Sequence, residues 1–193
     1  MPTKAYMLKK LLCLGGAFLM ATVASGDLLS PKMGAPDAIT QINSLETKNG
    51  ISAQFWVTTD DQIFLTWSEG AAIRNLKPTL QVKRNTPVYL ALFLANPGVR
   101  TVIRTVGKPR YLSDVTFDMY TLNPNGVLTL AYKQRIGWKG TPPAPGLVYL
   151  AKNRGVLNFE AIDPLGEYTV VMMVHDNIRK VDIRLVRKLK LVD

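Results

Sequence analysis

The sequence predicts an antiparallel β-sandwich, and three observations predict it. From Ile51 to the C-terminus, apolar and polar residues alternate with a period of two, as in strands with one buried face. Turn signals rich in Asn, Asp, Pro and Gly separate these runs at short intervals. Helical spacing is confined to one short stretch after Asp37. The composition, 47% hydrophobic and 20% charged, is that of a chain able to bury a core rather than a disordered one.

The chain divides into three parts. Residues 1–26 read as a cleaved signal peptide. Lys4, Lys9 and Lys10 give it a positive start, Leu11 to Ala24 an apolar centre, and Ala24-Ser25-Gly26 small residues at the cut, with Asp27 following. Residues 27–50 form an extended lead-in marked by Ser30, Pro31, Gly34 and Pro36. In it, Asp37 could cap a short helix over 38–46, on which Ile39, Ile42 and Leu45 recur. Residues 51–193 carry the sandwich. Beyond the N-terminus no apolar run reaches the roughly 18 residues of a membrane-spanning helix, which excludes a multi-pass protein.

The strands follow in order. Ile51, Ala53, Phe55 and Val57 alternate, Asp60-Asp61 turns, and Ile63, Leu65 and Trp67 alternate again, predicting a hairpin over 51–68. Thr79 to Lys83 is a short strand. Pro87 opens a longer one, with Val88, Leu90, Leu92 and Leu94 on one face and Tyr89, Ala91 and Phe93 on the other. Both faces are apolar, so this strand is central. Asn96-Pro97-Gly98 ends it, and residues 99–113 read as a basic, irregular connection.

Val115, Phe117 and Met119 start the next strand, with Asp114, Thr116 and Asp118 facing out. Asn123-Pro124-Asn125-Gly126 is a strong turn, and Leu128, Leu130 and Tyr132 return from it. Gly137 to Gly146 contains three prolines and is expected to be irregular. Val156 to Ala161 is a strand, and Asp163-Pro164-Leu165-Gly166 turns into Tyr168, Val170, Met172 and Val174. Asn177 to Lys180 turns again into Val181, Ile183 and Leu185. Arg187 falls on the inward parity of this last strand, which predicts a bulge near Val186 or fraying. Eight or nine strands result, with Leu90, Leu92, Phe117, Tyr168, Val170 and Met172 as the expected core.

The run from Asp163 to Asp176 resembles the penultimate strand of immunoglobulin-like domains, in particular the bacterial periplasmic class. Its turn leads through Gly166 to Tyr168 and then to alternating apolar residues. The resemblance covers roughly residues 86–192. It implies an Ig-like β-sandwich and makes Tyr168 a tyrosine corner, whose hydroxyl bonds back to the preceding turn. Val170 stands where that family often has a cysteine. The resemblance implies a fold and no activity.

Composition excludes much chemistry. The single cysteine, Cys13, leaves with the signal segment, and so do disulfides, thiol catalysis and cysteine metal sites. One histidine, His175, cannot form a multi-histidine zinc site. It is adjacent to Asp176, but strand neighbours point to opposite faces. Asp114 and Asp118 share a face without forming a tight dyad. Asp60-Asp61 lacks the regular spacing of a calcium loop. No Gly-x-Ser-x-Gly occurs, and no cofactor, metal or nucleic-acid partner is expected.

What remains points to binding. Without the signal segment, 21 basic and 14 acidic residues give a net charge of +7, all of it within residues 100–193. Such asymmetry suits an anionic membrane, a polyanionic glycan or an acidic protein. Two candidate sites follow. Trp138, Lys139, Pro142 and Pro143 lie in the proline-stiffened segment and suit contact with a protein partner, the alternative being that Trp138 folds back and closes one end of the sandwich. Arg179, Lys180, Arg184, Lys188 and Lys190 form a basic stripe that suits an anionic glycan or lipid, or that blocks edge pairing. The expectation is a non-enzymatic periplasmic binding or adaptor module engaging an envelope protein, with a glycan or anionic-lipid binding module as the alternative and a hydrolytic enzyme as the less favoured third reading. The absence of cysteine and of an Asn-x-Ser/Thr sequon after residue 26 fits a bacterial periplasm.

Overall fold

The computed structural model describes residues 45–67, 78–103 and 106–193. The expected signal peptide, residues 1–26, and residues 27–44, with most of the expected 38–46 helix, lie outside the described residues; at the end of that helix Glu46 belongs instead to a strand, β1 (Glu46–Lys48). Eleven strands and one short helix make up the described fold. One sheet contains β1 (Glu46–Lys48), β2 (Ile51–Thr58), β4 (Val88–Ala95), β8 (Val148–Leu150) and β9 (Gly155–Leu157). The other contains β3 (Gln81–Lys83), β5 (Arg100–Val102), β6 (Arg110–Leu122), β7 (Leu128–Gly140), β10 (Gly166–Asp176) and β11 (Val181–Val192). Every pairing is antiparallel except that of β3 with the end of β11. The fold is the expected all-β Ig-like sandwich.

β4 is central, as its two apolar faces require. It pairs with β2 on one side and with β8 and β9 on the other. Its inward residues Leu90, Leu92 and Leu94 meet Phe55, Phe117, Val170 and Met172 in one core. Its outward residues Ala91 and Phe93 join Trp56 and Ile63 in a second apolar cluster. All six expected core residues are buried. Cutting a buried phenylalanine such as Phe117 to alanine costs about 3–5 kcal/mol through lost transfer energy and the cavity left. The tyrosine corner is also present. The Tyr168 hydroxyl donates to the Pro164 carbonyl at 3.0 Å, and the Tyr168 ring meets Phe159 edge-on at 4.8 Å.

Several local expectations are corrected. Residues 63–67 do not form a strand. Ile63–Thr66 is a single helical turn, α1, started by the Asp60 carboxylate, which accepts the Gln62 N–H at 2.9 Å. This turn lays Ile63 and Trp67 on the outer apolar cluster and leaves Leu65 exposed. Residues 99–113 are not an irregular connection, because β5 and the start of β6 pair as a hairpin. The segment from Gly137 is regular up to Gly140, so Trp138 sits on a strand; only the residues beyond are irregular. The 156–161 strand shortens to β9, and β8 precedes it.

Arg187 needs neither bulge nor fraying. β10 and β11 pair without interruption from Gly166↔Leu191 to Asp176↔Val181. Arg187 therefore points into the sandwich, with its guanidinium 5.1 Å from the centre of the Phe55 ring. Burial pulls its pKa down to about 10, while the Glu46 carboxylate acts against that shift.

Candidate functional site

Five connections converge at the end of the sandwich where β2 begins and β4 stops: Asn49-Gly50, residues 96–99, the β5–β6 hairpin, residues 141–147 and the turn 177–180. Asp176 joins two of them directly, residues 96–99 and the turn 177–180. Its side chain has 0% exposure. One carboxylate oxygen accepts the Gly98 N–H at 2.6 Å; the other accepts the N–H groups of Ile178 and Arg179, each at 3.0 Å. A carboxylate holding several backbone N–H groups is a strong fixed point in low dielectric. Only glycine fits at position 98, since an added Cβ would lie 2.6 Å from Asp176 Oδ1. The Ser113 hydroxyl donates to the Gly98 carbonyl at 2.7 Å, which joins β6 to the same knot.

Asn96 extends the knot. It occupies the left-handed region, with φ 50°. Its carbonyl accepts from the Arg179 guanidinium at 2.6 Å, and its side-chain oxygen accepts the Gly146 N–H at 2.8 Å. Asn177 anchors the turn to β6 through its N–H to the Asp114 carbonyl at 3.0 Å. Its side-chain amide reaches Asp114 Oδ1 at 3.0 Å and the Thr116 hydroxyl at 3.2 Å.

Trp138 closes this end from inside. Its ring meets Tyr149 edge-on at 4.5 Å, its indole N–H donates to the Thr141 carbonyl at 3.0 Å, and Lys152 Nζ stands 5.3 Å from the ring centre. Half of the tryptophan is thus packed against the core rather than presented on a loop. The Tyr149 hydroxyl is buried, without a hydrogen-bond partner among the described residues. Burial pushes its pKa up, and the nearby Asp176 charge adds to the rise. Lys139 is exposed and paired in register with Asp114, while Pro142 and Pro143 are half-buried.

The expected basic stripe divides in two. Arg179 and Lys180 belong to the loop-bearing end, where Arg179 serves as a brace and Lys180 is exposed with φ 57°. Arg184, Lys188 and Lys190 lie on the outer face of the β11 sheet, where Lys188 pairs with Glu167 at 2.8 Å. His175 is on that same face. Its Nδ1 is 2.7 Å from Asp182 and its Nε2 3.6 Å from Asp118, with the imidazole clasped between β6 and β11 and facing away from Asp176. Among the described residues no group of three acidic, histidine or cysteine side chains could hold a metal ion. No helix among them is long and apolar enough to cross a membrane.

Sequence reasoning missed the cations of the hairpin as members of this end. Arg100, Lys108 and Arg110 are exposed there beside Lys139 and Lys180. The signal was the stretch from Pro97 to Ser113, which has no acidic residue.

No protein-family model matches the sequence, and no curated protein is similar to it. Among solved structures, the chain is similar to a Niemann-Pick type C2 protein from Japanese carpenter ant. That match has a TM-score of 0.41 and 7% identity over 72% of this chain and 89% of that one. It is also similar to a family 123 glycoside hydrolase from Clostridium perfringens, described for glycolipid glycan hydrolysis. The TM-score there is 0.39, with 8% identity over 73% of this chain and 27% of the other.

Proposed function

We propose that the protein is an exported, non-enzymatic binding or adaptor module of the cell envelope that engages a protein partner through its loop-bearing end. The observation that carries this reading is the knot around Asp176 and Asn96. It fixes three connections, residues 96–99, 141–147 and 177–180, in one arrangement and leaves Lys180 exposed on one of them and Lys139 exposed at the adjoining end of β7. A platform ordered before contact loses less entropy on binding than free loops do. Trp138 supports the platform through Tyr149, and Pro142 and Pro143 stiffen the connection beside it. Export rests on the composition of residues 1–26.

The test is a crosslinked pull-down from the cell envelope, comparing wild type with Lys139→Glu/Lys180→Glu. Both side chains are exposed, so the variant is expected to fold normally and to lose its partner. Equal recovery from the two proteins would remove this end from the account. Mass spectrometry of the envelope form tests export, and an intact Met1 would contradict it.

A further inference from the structure

We propose that the β5–β6 hairpin is a membrane-contact element that seats the loop-bearing end on an anionic bilayer. It goes beyond the partner reading, because it rests on residues 100–111 of the hairpin and not on Lys139 or Lys180, and either can fail without the other.

The geometry starts with strand pairing. β6 pairs with β7 from Ser113 and with β10 from Val115, whereas Arg110, Tyr111 and Leu112 pair only with Val102, Thr101 and Arg100 of β5. The hairpin thus overhangs the rest of its sheet by three residues, about 10 Å of strand. An overhanging hairpin buries little of its own surface. Its apolar residues show this: Ile103 is 85% and Val106 87% exposed, and Tyr111 is 54% exposed. These residues are not spare core. They belong to the overhanging hairpin, where burial against the sandwich is out of reach.

The charge selects the occupant. Among the described residues, Arg100, Lys108 and Arg110 accompany Ile103 and Val106 in the hairpin and are all exposed, and no acidic residue occurs between Pro97 and Ser113. Apolar side chains at the end of a cationic projection match the layering of an anionic membrane. The chains enter the boundary between headgroups and acyl tails, the cations meet lipid phosphates, and a tyrosine sits at headgroup level. The overhang is comparable with the roughly 5–10 Å to which interfacial elements sink. An acidic protein surface would be satisfied by the three cations and would give Ile103 and Val106 no specific place.

The test is co-sedimentation of the envelope-purified protein with phosphatidylglycerol–phosphatidylcholine vesicles, with pure phosphatidylcholine vesicles in parallel. Wild type is expected to bind the mixed vesicles and to bind less as salt rises. Ile103→Ser/Val106→Ser should weaken that binding by about tenfold or more. Arg100→Gln/Lys108→Gln/Arg110→Gln should weaken it by about fivefold for each cation removed. All these residues are exposed, so the unfolding midpoint of each variant should match wild type. Wild-type binding that is absent, or equal on both vesicle types, would overturn the proposal. So would full retention by the Ile103/Val106 variant, which would indicate a purely electrostatic contact. Vesicle binding can fail while the pull-down with Lys139→Glu/Lys180→Glu still succeeds, so the two readings are separable.

Discussion

Replacing Asp176 should release the whole loop-bearing end, and the three bonds it accepts set the size of the effect. The Gly98 N–H is buried, so leaving it without the carboxylate costs about 1–3 kcal/mol. The N–H groups of Ile178 and Arg179 lie at a half-buried turn, where solvent can partly replace the carboxylate, at about 1 kcal/mol each. Asp176→Ala should therefore cost about 4 kcal/mol in urea unfolding. Asp176→Asn can keep its oxygen on the turn but sets an NH2 group against the Gly98 N–H, so it should cost about 2 kcal/mol. Gly98→Ala should be strongly destabilising in wild type, since its Cβ would meet the carboxylate at 2.6 Å. In the Asp176→Ala background the same change should cost less, because the obstructing oxygens are gone and only Arg179 Cγ, at 2.9 Å from the added Cβ, still has to move. The reasoning is refuted if Asp176→Ala costs under about 1 kcal/mol, if Asn is as costly as Ala, or if the two substitutions are simply additive.

Three further outcomes follow from buried groups. Tyr149→Phe removes a hydroxyl that has no partner among the described residues, so stability should stay equal or rise by up to about 1 kcal/mol; a clear fall in the urea midpoint would contradict this. Tyr149 and Tyr168 both have pKa values raised chiefly by burial, so above about pH 10 the unfolded chain loses tyrosine protons that the folded chain keeps. Stability should then fall with rising pH, less steeply in Tyr149→Phe, and an ultraviolet titration showing both tyrosines ionising normally in the folded protein would disprove it. Arg187→Met removes a buried guanidinium that stacks over Phe55 and donates to the Val186 carbonyl at 2.6 Å, and should cost about 1–3 kcal/mol. An unchanged or raised urea midpoint would contradict this.

The parts of the fold legible in the sequence were those set by local pattern. Apolar residues on both faces of β4 fixed its central place, and Tyr168 reached back only four residues to Pro164 for its corner. Parity alone also placed Arg187 inward. The expectation of a bulge came from the cost of burying a cation, which stacking on Phe55 offsets. Short runs were ambiguous: Ile63 and Trp67 satisfy a strand's alternation and equally the four-residue step of one helical turn. The prolines at 142, 143 and 145 marked a loop correctly but drew its start back too far, past a strand that ends at Gly140.

The candidate site was less legible, because distant residues make it. Asp176 read as a neighbour of His175, yet its decisive partner is Gly98, across 78 positions of sequence. Nothing in the spacing announces such a contact. The charge asymmetry was visible, but its division between the loop-bearing end and the outer face of β11 depends on which strands lie side by side.

Site-specific photocrosslinking in the cell envelope tests the central claim most directly. A photoreactive residue would be placed at Lys139 or Lys180, at the loop-bearing end, and in parallel at Asn125 or Ile162, in exposed connections at the opposite end of the sandwich. The account predicts one discrete crosslinked partner from the first two positions and none from the second two. Capture of the same partner from Asn125 or Ile162, with Lys139 and Lys180 silent, would contradict it.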